Sequence, residues 1–112
     1  MFGKSKHKPQ HRELTAAQLK AMLDRGEAQV VDVREPDEFV QGHIPGALNM
    51  PLSSFSPASL PDSSGKTLVL NCLGGKRSGL ALDQCDAAKS AVDTHLAGGF
   101  GAWAQAGLPV ER

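Results

Sequence analysis

No stretch of this chain comes near the roughly 20 consecutive apolar residues that a membrane-spanning helix needs. The opening residues, MFGKSKHKPQ, lack the apolar core of a secretory signal. Nothing marks export or membrane insertion, so a cytoplasmic location is the expectation. Cysteine is scarce. Cys72 and Cys85 are the only two in 112 residues, too few for the disulfide framework of a small secreted domain. The four histidines, His7, His11, His43 and His95, are scattered and show no metal-ligand spacing. No metal and no organic cofactor is therefore expected. Internal repeats are absent, and the only biased segment is the serine-rich connector 53–65, SSFSPASLPDSSG.

Net charge is also absent in sum, but not in distribution. Lys4, Lys6, Lys8 and Arg12 fall in the first twelve residues with no acid among them. The remainder holds eight basic and twelve acidic side chains, a net of −4. No aromatic residue interleaves those basic positions as it would on a nucleic-acid stacking surface. Residues 1–11 read as a solvated basic tail, and 12–112 as one domain. Neither nucleic acid nor membrane is an expected partner, and a monomer is the default.

What is present is an alternation of strands and helices. Thr15 with Gln18 three positions later forms a capping-box pattern, Leu19, Met22 and Leu23 follow at helical spacing, and Gly26 stops the helix. Gln29–Val33 reads as a buried strand and Pro36–Phe39 as the start of a short helix. Ala47–Asn49 is a short strand candidate. Residues 53–65 are expected to connect, with at most one helical turn. Thr67–Asn71 is a second buried strand, followed by a helix to about Lys89, a weaker strand at Val92–Leu96, and a last helix bearing Trp103. The pattern predicts an α/β fold with a mainly parallel sheet and helices on both faces.

The chemistry concentrates in LVLNCLGGKRSGLAL, residues 68–82. A buried strand ends at Cys72, a glycine loop follows, and a helix begins. In open α/β sheets ligands bind beyond the carboxyl ends of strands. Gly74 and Gly75 permit positive φ, so that successive N–H groups converge on one hollow. The helix start adds free N–H groups and a partial positive charge. Lys76 and Arg77 add formal charge. Together these favour a thiolate at Cys72 and an anion beside it. The alternative is that Cys72 is a small buried apolar residue at a plain turn.

Four stretches, in this order and spacing, resemble the rhodanese homology family: VVDVREPDEF (30–39), GHIPGALNMPL (42–52), CLGGKRS (72–78) and LAGGFGAWAQAGLPV (96–110). The likeness runs from Glu13 to Val110. It implies a five-stranded parallel sheet with helices on both faces. It implies that Cys72 carries sulfur as a persulfide, with the amides of Leu73, Gly74, Gly75, Lys76, Arg77 and Ser78 as its cradle. The implied partners are a small anionic donor such as thiosulfate and an acceptor that is cyanide or a thiol. One position departs from the family. Active members often carry arginine or another polar residue after the cysteine, and here stands Leu73. That favours a more apolar donor or a protein-bound persulfide.

The remaining residues carry open alternatives. Arg77 either binds substrate oxygens through its fork or pairs inward with Asp32. Asp32 ends a buried strand and needs a structural partner. Arg34 lies near the pocket mouth, with Asp37 and Glu38 as simple surface pairs. His43 is expected to hydrogen-bond a loop, and Cys85 to pack, since it lies too far along the helix for the roughly 7 Å limit of a disulfide. Phe100 and Trp103 share a helix face as core or pocket wall. Two rival functions remain. A cysteine-dependent phosphatase or arsenate reductase would have five residues between cysteine and arginine, and here four separate Cys72 from Arg77. A docking module of the same fold would usually lack the cysteine.

Overall fold

Two buried strands set the frame of the computed structural model, which describes residues 11–112. They are β2 (Ala28–Asp32) and β4 (Thr67–Asn71), both almost wholly buried and paired in parallel. Covered on both sides, they need apolar residues at nearly every position rather than at alternate ones. Around them stand β1 (Arg12–Leu14), β3 (Leu48–Asn49) and β5 (Thr94–Leu96). The order across the sheet is β1-β5-β4-β2-β3, and every pairing is parallel.

Neighbouring residues of a strand face opposite sides, and the core divides accordingly. Val30 and Val69 meet Leu19 of α1 (Ala16–Asp24), Trp103 of α4 (Gly99–Gln105), Ile44 and Leu96. Val31, Leu70 and Cys72 meet Ala81, Leu82 and Cys85 of α3 (Lys76–Ala87), together with Phe55. A fourth helix, α2 (Pro36–Gln41), starts with proline at its first turn as expected. The α/β sheet with helices on both faces is the one the sequence predicts.

The local signals hold. Thr15 Oγ accepts the Gln18 N–H at 3.1 Å, and Gln18 Oε1 accepts the Thr15 N–H at 2.9 Å. Gly26, at φ +69°, ends α1 by donating to Leu23 O. The differences are at weak elements. β1 is a strand that the sequence does not predict: three mostly exposed residues with two charges carry no alternation to read, and their order comes from pairing with β5. The strands expected at 47–49 and 92–96 shorten to β3 and β5. The connector region holds two 3-10 turns, Leu52–Ser54 and Pro57–Ser59, where the sequence predicts at most one. Residues 1–10 of the expected tail lie outside the described residues.

Candidate active site

Cys72 follows the last residue of the central strand β4 and is 1% exposed. Its backbone is held by another element. The N–H of Phe100 donates to Cys72 O at 2.7 Å, and the N–H of Gly101 donates to Leu73 O at 3.0 Å. Both donors belong to the first turn of α4. In a trans peptide the C=O and the following N–H point in opposite directions. Drawing the Cys72 and Leu73 carbonyls toward α4 therefore turns the Leu73 and Gly74 amides the other way, into the loop. Gly98 and Gly99 enter α4 at φ +73° and +59°, and Gly99 lies so close that a Cβ there would overlap both carbonyls. The Gly-Gly pair before Phe100 is thus part of the loop's support.

The loop itself turns at Gly75, which caps α3 at φ +108°. Only this glycine of the loop uses the positive-φ region. Gly74, which the sequence also permits there, does not. The Gly75 N–H reaches Cys72 Sγ at 3.0 Å, and Ser78 Oγ lies 3.5 Å from it. Burial pushes the Cys72 thiol up, but hydrogen bonds from the Ser78 side chain and from the Ser78, Gly75 and Gly74 amides outweigh it, and the net shift is downward. Lys76, Arg77 and Ser78 lie in the first turn of α3, so their amides are among those a helix start leaves free. Cys85, fully buried in the same core layer, is shifted the other way by burial. Both cysteines are free thiols.

The ion pairs differ from both sequence expectations. Arg77 does not meet Asp32. Its two Nη atoms lie 2.7 and 3.0 Å from the two carboxylate oxygens of Glu38, and this fork holds the Glu38 carboxyl down to about 2. Arg34, in turn, is no surface partner of Asp37 and Glu38. It is 4% exposed and binds Asp32 through Nε and Nη2, while its own N–H donates to Asp32 Oδ1. Its guanidinium also donates to Gly42 O at 2.7 Å and stands 4.5 Å from the centre of the Phe100 ring. The physical reason is reach: Arg34 leaves the end of β2 beside its own strand's aspartate, whereas Arg77, in the first turn of α3, extends to Glu38 of α2. Asp32 also receives the Asn71 amide at 3.5 Å.

This buried pair supports a prediction. Asp32→Ala leaves the Arg34 guanidinium buried without its partner and is expected to cost about 3–5 kcal/mol. Asp32→Ala/Arg34→Met together should recover most of that loss. Urea midpoints measure both. A single-variant loss below about 1 kcal/mol would show that the pair contributes as little as an exposed one.

Arg34, Glu38, Gln41, Gly42, Leu73 and Phe100 line a shallow cavity of about 250 Å³ beside the loop. Leu73 is half exposed there, giving the rim an apolar lip. A wider cleft of about 490 Å³ opens at the opposite, amino-terminal end of β4 and β5. No cysteine or histidine lines it. His43 is structural, as expected, but its partner is helical rather than a loop: it hydrogen-bonds Phe39 O of α2 at 2.8 Å and stacks on the Phe39 ring. Trp103 is core, and Phe100 walls the cavity. No group of metal ligands occurs among the described residues, and no helix among them is long and apolar enough to cross a membrane.

Sequence reasoning misses His95. Its Nδ1 lies 2.8 Å from Ser78 Oγ, and Nε2 lies 3.4 Å from Glu13 Oε2. His11 meets the His95 ring edge-on and bonds Asp83 at 2.8 Å. The two histidines that look scattered in sequence are neighbours because β1 and β5 pair. Without β1, no sequence signal connects them.

Comparison with known proteins accords with this geometry. An uncharacterized protein of Synechocystis sp. is 52% identical over 83 residues, covering 74% of this chain and 46% of that protein. The mouse thiosulfate sulfurtransferase/rhodanese-like domain-containing protein 3 is 31% identical, covering 80% of this chain and 66% of its own. The crystal structure of a rhodanese-related protein from Thermoplasma volcanium superposes with a TM-score of 0.77 at 28% identity, covering 90% of this chain and 98% of that one. The chain spans about half the length of the first curated relatives it matches. The rhodanese-like domain family matches residues 15–106, and with the sheet order and the cysteine loop described above, this chain belongs to it.

Proposed function

We propose that the protein is a sulfurtransferase in which Cys72 carries sulfane sulfur. The observation that carries this reading is the Gly75 N–H at 3.0 Å from Sγ, with further amides and the Ser78 hydroxyl favouring the thiolate. The thiolate attacks the outer sulfur of thiosulfate. The S–S bond of the donor breaks, sulfite leaves with the electron pair, and Cys72 holds a persulfide. Attack by cyanide or a thiolate on the outer sulfur returns the Cys72 thiolate. This is the chemistry of thiol–disulfide exchange, with amides placed where negative charge develops. Sulfurtransferase-named relatives, including the mouse protein, support the same class.

Leu73 favours a donor less anionic than thiosulfate, a protein-bound persulfide among them, because it adds apolar surface to the rim where a cation would otherwise stand. Arg77 is occupied by Glu38, so capture of donor oxygens falls to Lys76 and the amides of Gly74 to Ser78. The same pairing counts against a phosphatase, whose arginine must face the phosphate. The four-residue spacing from Cys72 to Arg77 counts against it too.

The test is the mass of the intact chain after incubation with thiosulfate and removal of the excess. A gain of about one sulfur atom, removed by cyanide or dithiothreitol, is expected. No gain from thiosulfate or from a more reactive persulfide donor, with the fold intact, would replace this reading with that of a docking module.

A further inference from the structure

Ser78 has one hydroxyl proton and three acceptors around it. Its Oγ lies 3.2 Å from Gly75 O, 2.8 Å from His95 Nδ1 and 3.5 Å from Cys72 Sγ. Ser78 is 0% and His95 4% exposed, so bulk solvent does not share in these bonds. The 2.8 Å contact requires a proton on either Oγ or Nδ1. With Cys72 as a thiol, the S–H is directed to Oγ and Ser78 donates to Nδ1. With Cys72 as a thiolate, Ser78 directs its proton to Sγ, and Nδ1 must then carry a proton to donate to Oγ. The two arrangements differ by a shift of two protons along one chain, and Ser78 is neutral in both.

We propose that His95 is a positioning residue that takes up the Cys72 thiol proton through Ser78. Cys72 gives its proton to Ser78 Oγ while Ser78 gives its own to His95 Nδ1. The products are a thiolate and an imidazolium, with no change in oxidation state. The sheet builds the path. His95 stands between Glu13 of β1 and Leu70 of β4 in register, which puts its side chain on the face covered by α3, where Ser78 and Cys72 lie.

Of the surroundings of His95, Glu13 and a Cys72 thiolate favour the imidazolium, while burial and His11 oppose it. Glu13, from β1, holds Nε2 and stabilises the imidazolium. His11, paired with Asp83 of α3, stands edge-on at 5.7 Å between ring centres. Cys72 lies across Ser78, and its thiolate attracts the imidazolium. Burial, with His11 adding to it, pushes His95 below its ordinary value despite Glu13. The ring takes up a proton more readily once the Cys72 thiolate has formed across Ser78. Glu13 is 60% exposed, so the proton can leave along the β1 edge of the sheet while a donor occupies the loop.

The inference rests on Cys72 as the reacting thiol, so the experiment follows its ionisation directly and needs no sulfur transfer. The chain has no tyrosine, which leaves the far-ultraviolet absorbance of the thiolate free of phenolate. The probe is a pH titration of that absorbance in the wild type, with Cys72→Ser subtracted. Coupled groups titrate in two macroscopic steps, and two steps are expected. His95→Asn keeps an amide beside Ser78 but cannot titrate. It should give one step, its midpoint about one pH unit higher, a tenfold change in the thiolate-to-thiol ratio. Ser78→Ala should also give one step. In parallel, the ring nitrogens of His95, followed by NMR, should titrate at a different pH in Cys72→Ser than in wild type. That measurement decides the matter if His95→Asn does not fold. A single wild-type step that coincides with His95→Asn, or a His95 titration indifferent to Cys72→Ser, overturns the relay. Two coupled steps without sulfur uptake would uphold the relay and remove only the sulfurtransferase reading.

Discussion

Cys72→Ser is expected to take up no sulfur from thiosulfate, while Cys85→Ser takes up as much as the wild type. The hydroxyl of serine is far less acidic than a thiol and far less nucleophilic toward sulfur, and it cannot form a stable bond to a sulfane atom. The same amides that favour a thiolate at 3.0 Å would surround a neutral hydroxyl with nothing to attack. Loss should therefore be complete within detection, unlike the partial losses expected from variants of the supporting residues. Cys85 sits 0% exposed beside Ala81 and Leu82, with its thiol pushed up by burial. A serine there keeps Ser90 as a hydrogen-bond partner but sets a hydroxyl among apolar neighbours, at a cost of about 1 kcal/mol. That lowers the denaturation midpoint but not the sulfur gained per folded chain. Intact mass after thiosulfate treatment checks both. Sulfur retained in Cys72→Ser and lost in Cys85→Ser would reverse the assignment.

The second large effect is expected at a residue that touches no substrate. Gly99→Ala must hold φ near +59°, which costs an L-residue about 1–2 kcal/mol. Its methyl also overlaps the carbonyls of Cys72 and Leu73, and such overpacking adds about 1–3 kcal/mol. Relief of the overlap requires α4 to move away, which breaks the bonds from Phe100 and Gly101 and frees the two peptides that orient the Leu73 and Gly74 amides. Stability and sulfur uptake should fall together, by about 3 kcal/mol and by more than about tenfold. Gly74→Ala is the control. Nothing lies within 4 Å of the place its methyl would take, and its φ is not positive, so denaturant midpoints should match wild type closely. Equal effects at the two glycines would show that the loop does not depend on α4.

Much of this fold is legible in the sequence because its strongest elements are local. Thr15 with Gln18, Gly26, Pro36 and the apolar run at 68–70 each act within a few residues, and each appears where expected. β1 is not legible, since Arg12–Leu14 becomes a strand only against β5. The site divides in the same way. The family resemblance and the strand–glycine–helix pattern single out Cys72 and its loop. The ion pairs are decided by reach in the folded chain, so Arg77 of α3 meets Glu38 of α2, while Arg34 turns back onto Asp32 at the end of its own strand. His95 is invisible until Leu70, His95 and Glu13 are brought into register by two strand pairings.

The dependence of the loop on α4 also sets an order of events during synthesis. Domains are made from the amino terminus onward, so Cys72 is joined to the chain before Gly99, Phe100 and Gly101 exist. Until those residues arrive, the Cys72 and Leu73 carbonyls have no donors, and the thiol keeps the modest acidity of an unfolded cysteine. The same chain segment that completes the core through Trp103 completes the anion hollow. The hydrogen bonds that lower the Cys72 thiol therefore arise only with the finished fold, and a nascent or unfolded chain presents an ordinary thiol to oxidants and stray electrophiles.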